Sequence, residues 1–153
     1  MRKTSFMSAL AAAGLFAAAT SAAAEEPQVI ELTQTACQFV ESENGVDHSF
    51  DTGSKADCEA INAESGDARL AEAKVLELKP GKYVFRVTNQ DVPYELGFWL
   101  RGEGLGRFLK DSVSGGGLTE GKTLDYEIEL SEGEYLYSCP LNPTPDYRIV
   151  VKS

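Results

Sequence analysis

Residues 123–130, TLDYEIEL, alternate without error, with Leu124, Tyr126, Ile128 and Leu130 on one side and Asp125, Glu127 and Glu129 on the other. A two-residue side-chain period belongs to the β-strand, so this stretch reads as a strand with one face in a core and one in water. The same period recurs in KYVFRVT, where Tyr83, Phe85 and Val87 oppose Lys82, Arg86 and Thr88. Strand-like runs also appear in QVIELTQTACQFV (28–40), AKVLELK, YELGFWLR, GRFLK, EYLYSC and YRIVVK. Pro80-Gly81 and Glu132-Gly133 supply turns between them, and SGGG (114–117) reads as a flexible connection. Short strands at this spacing predict an all-β fold, a single β-sandwich.

Residues 41–70 interrupt the β pattern with a polar, acidic stretch rich in Gly, Ser and Asp. Within it ADCEAINAE predicts a short helix that places Cys58 and Ile61 on one face and stops at Gly66. The segment is an insertion carried by the sandwich. Gly116 to Thr123, GGLTEGKT, fits the letters of a phosphate loop. A period-two strand follows it, so no helix N-terminus is there to hold phosphate.

Residues 1–24 read as a secretory signal peptide: Arg2 and Lys3, an apolar run from Ala9 to Ala19, and small residues at Ala22-Ala23-Ala24. Cleavage there leaves a single domain of about 130 residues from Glu25. Periplasm is the expected compartment, and no later segment is apolar enough to span a membrane. The chain carries 14 basic and 24 acidic side chains, a net charge of −10. Loss of Arg2 and Lys3 takes the exported form to about −12, which argues against nucleic acid and anionic lipid. Arg101, Arg107 and Lys110 form a local exception, with only Glu103 among them.

Both methionines, Met1 and Met7, lie in the leader, and the chain has one histidine, His48, and three cysteines, Cys37, Cys58 and Cys139. In an oxidising compartment cysteines usually pair. Cys37 with Cys58 is the preferred disulfide, because the two flank the polar insertion and close it. Pairing of Cys139 with either is the alternative. A Cys139 left free is a buried core thiol or a reactive, metal-binding thiolate.

From about residue 73 to 152 the chain resembles the cupredoxins, the blue-copper β-sandwich family. The resemblance rests on LKPGKYVFRVTNQDVPYELGFWL and GEYLYSCPLNPTPDYRIVV. It implies a Greek-key cupredoxin-like β-sandwich carrying the 41–70 insertion. It also implies that Asn89 braces a loop, that Pro93 precedes the first copper-ligand position, and that Cys139 stands at the thiolate position. At the histidine positions of the motif stand Tyr94 and Asn142, and Pro145 or Tyr147 falls where the axial methionine belongs. A blue-copper centre needs two imidazoles and a thiolate. Tyrosine ionises only near pH 10 and asparagine offers a neutral amide oxygen. No cofactor is therefore expected. Were a metal held, its donors would come from Cys139, Tyr94, Asn142 and His48, and an electron-transfer or copper-binding protein using such atypical ligands is the alternative reading.

The three prolines Pro140, Pro143 and Pro145 stiffen the loop after Cys139. That loop end, with Leu141, Asn142 and Tyr147 beside Tyr94 and Trp99, is the expected recognition surface for a periplasmic protein or small ligand. One histidine on a polar loop offers no catalytic relay, so no enzymatic activity is expected.

Overall fold

A computed structural model describes residues 25–153, and the signal-peptide reading falls outside the described residues. Among the described residues nine strands form two sheets. They are β1 (Gln28–Thr35), β2 (Gln38–Phe39), β3 (Leu76–Leu78), β4 (Gly81–Asn89), β5 (Leu96–Gly102), β6 (Val113–Leu118), β7 (Thr123–Leu130), β8 (Gly133–Ser138) and β9 (Tyr147–Val151). One sheet runs β2-β1-β4-β7 and the other β3-β9-β8-β5-β6. β1 pairs parallel with β4 and β3 parallel with β9, and the remaining neighbours are antiparallel.

The alternation read from β4 and β7 sets the register: Phe85 lies opposite Tyr126 and Tyr83 opposite Ile128, all four buried. The sheets close over an aromatic core. Phe98 of β5 stacks on Phe85 of the opposite sheet at 5.6 Å and meets Tyr126 at 5.0 Å. Phe39, Tyr137 and Tyr147 extend the cluster, with centroids 5.5 to 5.9 Å apart. Each such pair adds about 0.5–1.5 kcal/mol beyond its buried area.

The insertion is larger in helix than its sequence suggests. Helix α1 runs from Lys55 to Glu72, straight through Gly66. A mid-helix glycine costs about 1 kcal/mol, which tertiary contacts readily override. Here Arg69 and Leu70, beyond Gly66, anchor the helix to the sandwich. Asp57 closes the N-terminus by accepting the backbone N–H groups of Gly53 and Ser54, which hold its carboxyl below the usual range.

Two further expectations are corrected. SGGG is strand β6, paired with β5, because glycine permits a close approach there: a Cβ on Gly97 would sit 2.6 Å from the Gly115 carbonyl oxygen. GRFLK is a helical turn, α2 (Gly106–Leu109), that folds back onto the end of β5. A Cβ on Gly102 would lie 2.4 Å from the Gly106 carbonyl, so the pair of glycines fixes that return.

Cys37 and Cys58 form the disulfide, at a sequence separation of 21, and Cys139 is free and buried. The bridge ties α1 to the turn between β1 and β2. Replacing both half-cystines by serine lowers stability by about 3 kcal/mol on the loop-closure argument. A urea midpoint matching that of the parent would contradict this account of the bridge.

Candidate functional site

Cys139 follows β8 and opens the loop that leads to β9. Its sulfur accepts the backbone N–H of Asn142 at 3.2 Å and that of Gly97 at 3.4 Å. Burial pushes the thiol upward, outweighing these hydrogen bonds, so the group is a protonated thiol at neutral pH. The Gln34 side chain lies within hydrogen-bond reach of that sulfur. Its Nε2 donates to the Gly97 carbonyl at 2.8 Å, and its Oε1 is, among the described residues, the buried side-chain oxygen with no hydrogen-bond partner.

Asn142 is fully buried and both ends of its amide are committed. Nδ2 donates to the Thr35 carbonyl at 3.0 Å. Oδ1 accepts the Cys37 N–H at 2.9 Å and the Tyr94 hydroxyl at 3.2 Å, which occupies both lone pairs. The same oxygen lies 3.0 Å from Cys58 Sγ, a contact with a proton-free disulfide sulfur rather than a hydrogen bond. One residue thus joins the Cys139 thiol, Tyr94 and the disulfide. Asn62 of α1 holds the loop from above through the Pro143 carbonyl.

Asn89 performs the bracing expected of it. Its Nδ2 donates to the Val92 and Leu118 carbonyls and its Oδ1 accepts the Val92 N–H at 2.9 Å, which shapes the turn that presents Tyr94.

The other predicted site residues divide into two groups. Trp99 and Leu141 flank a shallow groove of about 460 Å³ floored by Gly97, Gly115 and Gly116. Arg101 stacks on the Trp99 ring at 4.0 Å and donates to Asp146 at 2.7 Å. Tyr147 and His48 lie elsewhere. Tyr147 is fully buried because its β9 position faces the core, so it is not presented at the loop end; its hydroxyl donates to Glu43. The His48 Nε2 lies 2.7 Å from Glu43 Oε2, with the imidazole stacked on Phe50.

Glu43 and Arg69 were not legible as partners. Arg69 grips both carboxylate oxygens of Glu43, at 2.6 and 2.9 Å, and also donates to the Cys37 carbonyl and the Asn62 side chain. The only sequence signal is a glutamate inside the insertion, and nothing in its spacing points to Arg69.

The donor set does not fit a blue-copper ion. Around the sulfur stand backbone N–H groups, the Gln34 amide and a saturated asparagine, with no imidazole: the single histidine is spent on Glu43. Among the described residues no three His, Cys, Asp or Glu side chains gather where they could hold a metal ion.

Two packed sheets with this strand order and a cysteine-led loop at one end define a cupredoxin-like fold. The chain is similar to auracyanin B, a cupredoxin, at 12% identity and a TM-score of 0.52, over 86% of this chain and 94% of that one. A weaker likeness joins it to Fet3p, a multicopper oxidase that functions in iron import, at 17% identity and a TM-score of 0.36, over 88% of this chain and 33% of that one. No family model and no curated protein matches the sequence.

Proposed function

We propose that the chain is an exported, non-catalytic binding or accessory protein of the periplasm, built on a cupredoxin-like sandwich whose metal end serves recognition. The observation that carries this reading is Asn142. At the position of the second histidine it spends its whole amide on Thr35, Cys37 and Tyr94 and packs against the disulfide. Opening that amide to a metal would strip partners from a buried N–H and a buried carbonyl, a cost of about 1–3 kcal/mol for each group. The stiff loop from Cys139 to Tyr147, with Leu141 exposed beside Trp99, then offers a fixed apolar surface to a protein or small ligand. Among the described residues no helix is long and apolar enough to cross a membrane, and the acidic surface disfavours nucleic acid.

Thermal melting with excess copper(II) tests the reading. A ligand held by the native state at a hundred times its Kd adds about 2.7 kcal/mol, or roughly 8 °C for a domain of this size. The expected shift is less than about 1 °C. A rise of several degrees that disappears in Cys139→Ala would overturn it.

A further inference from the structure

All three cysteines meet at one residue. Asn142 donates its backbone N–H to the Cys139 sulfur at 3.2 Å, while its Oδ1 lies 3.0 Å from Cys58 Sγ and accepts the Cys37 N–H at 2.9 Å. The free thiol and the disulfide therefore stand at the backbone end and the side-chain end of a single, fully buried asparagine. Thiol–disulfide exchange needs a thiolate and a disulfide sulfur it can reach, and this end of the sandwich holds one of each. The Cys37 half of the bridge is also held in an unfavourable backbone. Its φ is +63°, a left-handed conformation that costs a residue other than glycine. Two side chains keep it there: Asn142 takes its N–H, and Arg69 Nη2 donates to its carbonyl at 3.0 Å.

We propose that Asn142 insulates the disulfide from Cys139, and that displacing the 140–143 loop lets Cys139 take over the bond to Cys58. The Cys139 thiolate attacks Cys58 Sγ, the Cys58–Cys139 bond forms as the Cys37–Cys58 bond breaks, and Cys37 leaves as a thiolate that picks up the proton Cys139 gave up. No electrons enter or leave, so neither oxidant nor reductant is required. The product ties α1 to the loop after β8 instead of to the turn between β1 and β2, and it frees the Cys37 backbone to relax. Asn142 opposes the exchange twice, by filling the space with its side chain and by fixing the sulfur with its N–H. Asn62 of α1 reinforces it by holding the neighbouring Pro143 carbonyl. None of this depends on whether the loop end binds a partner.

Non-reducing peptide mapping reads the connectivity after the folded protein stands at about pH 8.5, near the ordinary thiol pKa, and is quenched in acid. The parent is expected to keep Cys37–Cys58 alone. Asn142→Ala gains the Cys58–Cys139 bridge at least about tenfold faster than the parent, because both the filler and its hydrogen bonds are gone. Asn142→Leu strands the same backbone groups but keeps the space filled, so it exchanges at close to the parental rate. Asn62→Ala leaves Asn142 in place and frees the Pro143 carbonyl; it exchanges about fivefold faster than the parent and keeps the test decisive where Asn142→Ala fails to fold. Equal rates in Asn142→Ala and Asn142→Leu would mean that global unfolding carries the exchange. Cys37–Cys58 as the sole bridge in Asn62→Ala and in folded Asn142→Ala would mean that the thiol is out of reach. Either result overturns the proposal, as does a Cys37–Cys139 bridge in place of Cys58–Cys139.

Discussion

Arg69→Ala unfolds at a markedly lower urea concentration than the parent, with a loss of about 3–5 kcal/mol. Arg69 and Glu43 are 8% and 4% exposed at their side chains, and removing the cation leaves a buried carboxylate without its bidentate partner. The loss is larger than that of a surface pair because the orphaned charge bears its full desolvation cost. Replacing both residues, as Arg69→Met with Glu43→Gln, costs less than Arg69→Ala alone, since no charge is then stranded. The pair also latches α1: Arg69 is the helix residue that reaches Glu43, the Cys37 carbonyl and the face of Phe50.

The latch makes stability depend on pH. Burial alone would push the Glu43 carboxyl up, yet hydrogen bonds from Arg69, Tyr147 and His48 hold it below its ordinary value of 4.5. A group whose folded pKa is depressed contributes its stability in full above the unfolded value and loses it as pH falls through the folded one. Urea midpoints therefore hold steady down to about pH 5 and fall below it. Glu43→Gln lacks its share of that fall. Asp57 and Asp125, whose carboxyls are also held low, contribute a background slope common to both proteins. Equal acid slopes in parent and variant would refute the assignment to Glu43.

Asn142→Ala is expected to cost about 4 kcal/mol, the sum of two buried backbone groups stranded at once. The Cys37 N–H and the Thr35 carbonyl both lose their partner in a site closed to water. Asn142→His, the residue found at this position in the cupredoxin motif, costs a similar amount, because an imidazole cannot accept from Cys37 and donate to Thr35 with one planar amide's geometry. Denaturant unfolding of both variants checks this. A cost near zero for Asn142→Ala would mean the amide merely fills space.

The sandwich was legible because its determinants are local. Period-two alternation in 82–88 and 123–130 predicts buried faces, and Tyr83, Phe85, Val87, Tyr126, Ile128 and Leu130 are all buried. The disulfide followed from two cysteines flanking one insertion. GRFLK and SGGG misled for one reason: glycines there allow close backbone approaches set by a neighbouring segment, and a single strand's pattern carries no record of its neighbour. The helix overran Gly66 because propensity of order 1 kcal/mol yields to anchoring contacts beyond it. Tyr94 and Asn142 could be read at the histidine positions that the cupredoxin resemblance implies, but their hydrogen bond to each other could not. That requires knowing that the 41–70 insertion returns to the cysteine end and lays Cys58 against Asn142.

Optical titration of the purified protein with copper(II), alongside a free-thiol count, tests most directly the proposal that the Cys139 end holds no copper. The account predicts one thiol per chain, silent toward reagents until the protein unfolds, and no thiolate-to-copper band in the visible at any copper ratio. A stoichiometric, intense band that is abolished by Cys139→Ala would contradict it.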